Sequence, residues 1–189
     1  NLSTTYINAQ LDQLNKDCRK LNADASLIPA VFTGVAADAE IEFCLAERKP
    51  DGTATTGIEH LNMGAASWED TQIEATLKPQ TIWDRNRYFN VWSVAFGGNS
   101  TGLLGYAQFP GGPAATDGVV CHYSYFGTTG STAPFNKGRT ATHEVGHWLN
   151  CYHIWGDDGT SCNGTDQVAD TPNQADENYG CPSGSLVSC

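Results

Sequence analysis

The chain has 189 residues, a formal charge of −11 at pH 7 and a sequence pI near 4.6. That length supports one domain with a sizeable core. Only ten Lys and Arg are present, too few for the basic face that phosphate binding needs, which argues against nucleic acid, and no apolar run is long enough to span a bilayer. The opening residues, NLSTTYINAQ, lack the basic-then-apolar pattern of a signal peptide. Seven cysteines are many for a reduced cytosolic domain and point to disulfides and export. Their odd number leaves one thiol free or paired outside the chain. Asn1, Asn99 and Asn163 each open an N-x-S/T triplet.

Ile7, Leu11, Leu14, Cys18 and Leu21 recur at steps of four and three, one face of an amphipathic helix opened by Ser3, Thr4 or Thr5. Ile41, Phe43 and Leu45 alternate with Glu40 and Glu42, which predicts a strand, and Pro50, Asp51 and Gly52 supply the turn after it. Arg87–Phe96 is apolar on both alternations and reads as a central strand buried on both sides. GLLGYAQFP and GVVCHYSYFG are further strand candidates, and GRTATHEVGHWLN follows as a helix. Beyond His153 the chain turns polar and predicts little regular structure. No internal repeat or interdomain linker interrupts it.

On a helix, His143 and His147 share a face, and two neutral imidazoles there can bind one Zn²⁺. Glu144 stands beside the first ligand, placed to take a proton from a zinc-activated water. The HExxH pattern alone also occurs in ordinary helices. His153 adds to it. A continued helix would turn His153 away from the zinc face, so the chain has to leave the helix and double back. Asn150 suits that reversal, because Asn follows Gly in tolerating φ > 0 at a helix end. Three protein ligands leave a fourth position for water, as in catalytic zinc sites.

HExxHxxNxxH is similar to the metzincin zinc-peptidase motif, with Asn150 where Gly is common. NAQLDQLNKDCRKLNADAS, IEFCLAERKPDGTATTGIEH, LLGYAQFPGG, DGVVCHYSYFG and HIWGDD…DQVADTPNQ…YGCP narrow the resemblance to the pappalysin-like family, in its secreted bacterial and fungal members, over nearly the whole chain. The resemblance implies an α/β fold: a twisted mixed sheet with two major helices, the active-site helix beneath the cleft, and an irregular, disulfide-held C-terminal part. It makes His143, His147 and His153 the zinc ligands and Glu144 the general base of a secreted endopeptidase acting on protein or peptide substrates. Rival readings are a zinc amidase or deacetylase, and an inactive zinc-stabilised binding module. Oligomeric state is not legible.

Asp166 and Asp170 lie four apart with backbone carbonyls between, the oxygen donors that Ca²⁺ takes. Relatives carry calcium near this position, which favours Asp166, Asp170 and Thr171 as ligands and, less, Asp157. A solvated acidic loop is the alternative. Family spacing pairs Cys162 with Cys189. Cys18, Cys44, Cys121 and Cys151 remain unassigned. His60 and His122 match no ligand spacing, although His122 lies on a strand that borders the family's cleft. Trp148 and Trp155 read as packing, Lys137 and Arg139 as a solvated turn.

Residues 1–189 are therefore expected to form a single catalytic domain. It is expected to lack the apolar strand that relatives place before the first helix, and the methionine turn beneath the zinc, since Met63 is far upstream. In relatives the counterpart of Cys181 pairs beyond that turn.

Overall fold

In the computed structural model, which describes residues 2–159, 161–180 and 189, helix α1 runs over Thr4–Cys18. Ser3 stands at its N-cap, and the Ser3 carbonyl accepts the amides of Tyr6 and Ile7. The expected apolar face forms in part. Leu14 is buried, Ile7 and Cys18 pack against the same core, and Leu21 lies past the helix end and is exposed. Gln10 is buried beside them.

Residues 41–45 keep their alternation of burial but do not form the expected strand. No ladder joins them to the sheet. Asn15 of α1 stands in for a neighbouring strand: its Nδ2 donates to the Phe43 carbonyl at 2.8 Å, and its Oδ1 accepts from the Phe43 amide at 2.7 Å. The Phe43 side chain then packs into the core, 5.4 Å from the Phe89 ring. A side-chain amide satisfies the backbone there, so the segment stays extended without a ladder.

A helix follows in three pieces: α2 at Asp70–Gln72, a π-helical turn at Ile73–Leu77 and α3 at Lys78–Thr81. Glu69 and Gln72 close a capping box at its start. Three strands come next, β1 at Val91–Val94, β2 at Gly105–Ala107 and β3 at Val119–His122. They form a mixed sheet in the order β1-β3-β2. β3 runs parallel to β1, with Val91 beside Val119, and antiparallel to β2, with Gly105 beside Cys121. The final helix, α4, spans Arg139–Trp148.

The long apolar run at 87–96 does not supply the central strand. It yields β1 at the sheet edge, with Val91 exposed, and its free side faces an apolar groove shared with Phe43 and Leu45. The centre belongs to β3, where Val119, Val120 and Cys121 are fully buried. Alternation along β3 feeds two cores. Val119 and Cys121 meet Leu14 of α1, Phe126, and Ala141 and Val145 of α4. Val120 meets Ile73, Leu77 and Phe96 on the opposite face. The sheet is thus a middle layer between α1 with α4 and the α2–α3 helix, and each fully buried Val contributes about 1.5–3 kcal/mol.

Contacts divide the chain into two units, Asn1–Trp148 and Leu149–Cys189. The second has no helix or strand among its described residues. A disulfide joins Cys162 to Cys189, and Asn173 Nδ2 donates to the Cys162 carbonyl at 3.2 Å. Cys181 lies outside the described residues.

Candidate metal centre

α4 is fixed to α1 before it reaches its histidines. Gln10 Nε2 donates to the Gly138 carbonyl at 2.9 Å, and Thr142 Oγ1 donates to Asp17 Oδ2 at 2.7 Å. Arg139 is not simply a solvated turn residue: its Nη2 donates to Asp24 Oδ1, and its Nε lies 3.2 Å from Asp17 Oδ2. At the other end Trp148 Nε1 donates to Asp117 Oδ1 at 2.7 Å, and the Trp148 ring packs at a tilt, 4.3 Å from the Phe89 ring. Packing is therefore the work of Trp148, as its position beside a metal motif suggests.

With Ala141 and Val145 turned into the core, the helical period brings His143 and His147 to one neighbouring face. Their Nε2 atoms lie 3.0 Å apart, with the rings nearly perpendicular at 87°. Two nitrogens bound to one tetrahedral zinc at about 2.0–2.1 Å each would stand roughly 3.4 Å apart. The pair thus converges as ligands of a shared ion do, and neutral imidazole is a donor that zinc takes. His143 is exposed and His147 nearly buried, and the Phe109 ring lies 5.2 Å from His147.

The Glu144 side chain lies against the sheet, beside Gly105 of β2. It is 7% exposed, and burial pushes its carboxyl up to about 7. Near it is also the buried Cys121 of β3, whose thiol is pushed far up by burial and then by the Glu144 charge. The motif residues gave no sign of this pairing with Gly105 and Cys121. The one available signal was the glycine inside a strand pattern, which marks a close approach.

In the second unit, Asn150 adopts φ +77°, the left-handed conformation expected where the chain leaves the helix. His153 Nδ1 lies 2.8 Å from Asp157 Oδ1, and its ring stacks on Trp155 at 4.3 Å and 9°. A carboxylate on Nδ1 fixes the orientation of the imidazole ring. Asp157 therefore has a partner in His153. Asp166 is buried and its Oδ1 accepts from the Val168 amide at 2.9 Å, whereas Asp170 is exposed and the Thr171 amide bonds the Val168 carbonyl.

His122 sits in an aromatic cluster with Tyr123, Tyr125 and Phe96, and its Nδ1 accepts the Ser124 amide at 3.2 Å. Burial lowers its pKa. His60 is exposed.

Comparison with known proteins resolves what family this geometry belongs to. The peptidase family M43, described as pregnancy-associated plasma protein-A, matches residues 71–189. The chain belongs to this family. An extracellular metalloprotease of Arthroderma otae is 35% identical over 147 residues, 74% of this chain and 52% of the relative. One of Arthroderma benhamiae is 39% identical over 131 residues, 66% of this chain and 46% of the relative. The chain thus spans about half the length of these curated relatives. Mature mirolysin of Tannerella forsythia, solved with a cleaved peptide, superposes with a TM-score of 0.88 at 46% identity, over 97% of this chain and 69% of that one. Promirolysin, as the E225A mutant, gives the same TM-score over 61% of its chain. The mixed sheet and the two major helices of this M43 member are thus those of a solved metallopeptidase.

Proposed function

We propose that the chain carries the catalytic centre of a secreted zinc endopeptidase, with His143, His147 and His153 as ligands and Glu144 as general base. The observation that supports this most is the convergence of two Nε2 atoms at 3.0 Å on the helix that also carries a buried, weakly acidic carboxylate. The extracellular relatives favour secretion. Among the described residues no helix is long and apolar enough to cross a membrane.

Bound zinc would polarise the scissile carbonyl and acidify water. The chain's residues then do the rest. His153 is oriented for ligation by Asp157 on its Nδ1. Glu144 accepts a proton from the attacking water on a carboxylate oxygen and passes it to the leaving amine nitrogen. A carboxyl held near neutrality suits both transfers. β2 lies at the sheet edge beside Glu144, and its free backbone groups fit an extended peptide by strand addition. Mirolysin's own complex with a cleaved peptide supports a peptide substrate here.

The test is digestion of casein or gelatin by the zinc-loaded protein, with and without 1,10-phenanthroline, beside Glu144→Ala. The variant should bind zinc and lose roughly 10²–10⁴-fold in turnover. Activity within a few-fold of wild type would remove Glu144 from the base's role. Hydrolysis of small amides without proteolysis would select the amidase reading, and zinc binding without any hydrolysis the binding module.

A further inference from the structure

We propose that Gly105 is a positioning residue for Glu144: the space left by its missing side chain holds the arm of Glu144 and aims the carboxylate. The inference rests on Glu144 being the base and adds what places it. Gly105 lies in β2 opposite Cys121 of β3. A Cβ at position 105 would stand 2.9 Å from Glu144 Cγ and 3.1 Å from its Oε1, and 2.9 Å from the Val120 carbonyl oxygen. Real side chains do not approach so closely, so any residue but glycine displaces either the Glu144 arm or the β2–β3 pairing. The backbone of Gly105 lies outside the φ range that demands glycine, so conformation does not account for the residue. Close approach does.

Among the described residues no hydrogen bond or ion pair reaches the Glu144 side chain. This differs from Asp17, Asp24 and Asp117, each held by donors from other elements. A base that must take a proton from water keeps its lone pairs available when shape, and not donors, sets its direction. The close approach of Gly105 contributes to that shape.

The test is Gly105→Ala in the full, zinc-loaded chain. The kcat should fall about tenfold or more, since a misplacement near 1 Å can cost ~10²-fold. KM should stay within about twofold and bound zinc should be unchanged, which separates loss of aim from loss of substrate or metal binding. The second measurement is a melting cycle with Glu144→Ala, which removes the Glu144 Cγ contact and leaves the Val120 carbonyl in place. Gly105→Ala should then lower Tm by less than about half of what it does beside Glu144. Folding of Gly105→Ala only in the Glu144→Ala background would be the extreme form of that result. An equal Tm loss in both backgrounds, or failure to fold in both, would assign Gly105 to the β2–β3 ladder alone and overturn the proposal. So would a raised KM with kcat intact. If Glu144→Ala itself retained turnover, the base assignment would fail separately, because the melting cycle reads the contact without using activity.

Discussion

Gln10 ties the middle of α1 to both ends of the segment that leads into α4. Its Nε2 donates to the Gly138 carbonyl at 2.9 Å, and its Oε1 accepts from the Gly127 amide at 2.7 Å, with the residue 3% exposed. Helix α4 is thus entered from a point that α1 fixes. Gln10→Ala should leave two buried backbone groups without partners. At about 1–3 kcal/mol for each, urea denaturation should show a loss of roughly 2–6 kcal/mol. A loss under about 0.5 kcal/mol, the range of an ordinary surface change, would show that water replaces the clamp.

Asn150 ends the helical part of the motif at φ +77°. Asn150→Gly should keep zinc affinity, since glycine adopts that conformation at no steric cost. Asn150→Val should weaken zinc binding without altering any ligand, because a β-branched residue resists φ > 0. Competition titration with a zinc indicator measures both. Equal affinity in the two variants would show that the left-handed turn does not set the ligand geometry.

The residues that were legible in the sequence are those whose signal is local. His143, Glu144 and His147 follow from helical spacing, and the left-handed Asn150 from its place past the helix. β3 was visible as an apolar run, but not as the central strand, because rank in a sheet depends on partners far along the chain. Ile41–Leu45 kept the period of a strand without the ladder: alternation records which side chains face the core, not which backbone groups pair. Gln10 and Lys78 could not be foreseen as buried. Gln10 is matched by groups 117 and 128 residues away. Lys78, fully buried, is matched by Glu74, the Thr116 carbonyl and the Trp92 and Tyr106 rings, and burial still lowers its pKa. Gly105 escaped for the same reason, since its partner Glu144 lies on another element.

The proposed calcium ligands Asp166, Asp170 and Thr171 give a prediction of their own. Asp166 is buried in a polar loop, and one of its oxygens is engaged by the Val168 amide. If the loop takes Ca²⁺, adding it to dialysed, zinc-loaded protein should raise Tm, Mg²⁺ should not, and Asp166→Asn should abolish the response. An unchanged Tm on adding Ca²⁺ would leave the loop solvated and calcium-free.

The Arg139–Asp24 contact sets a pH dependence at the entry to α4. Hydrogen bonds from Asn22 and then Arg139 hold the Asp24 carboxyl down to about 2. An unfolded Asp titrates near 3.9. Because the folded value is the lower, the unfolded chain binds the proton first as pH falls. The contribution of Asp24 is therefore fully present above about pH 4 and is lost as pH drops through about 2. Asp17, which faces the same guanidinium, remains as a second partner for Arg139. Asp24→Asn should accordingly melt below wild type at pH 6, and the two should converge as the pH approaches 2. The comparison is a pair of thermal melts at each pH, with Asp17 intact in both proteins. A Tm difference that stayed constant from pH 6 to pH 2 would mean that the Asp24 charge contributes nothing and that the lost contact is one of shape alone.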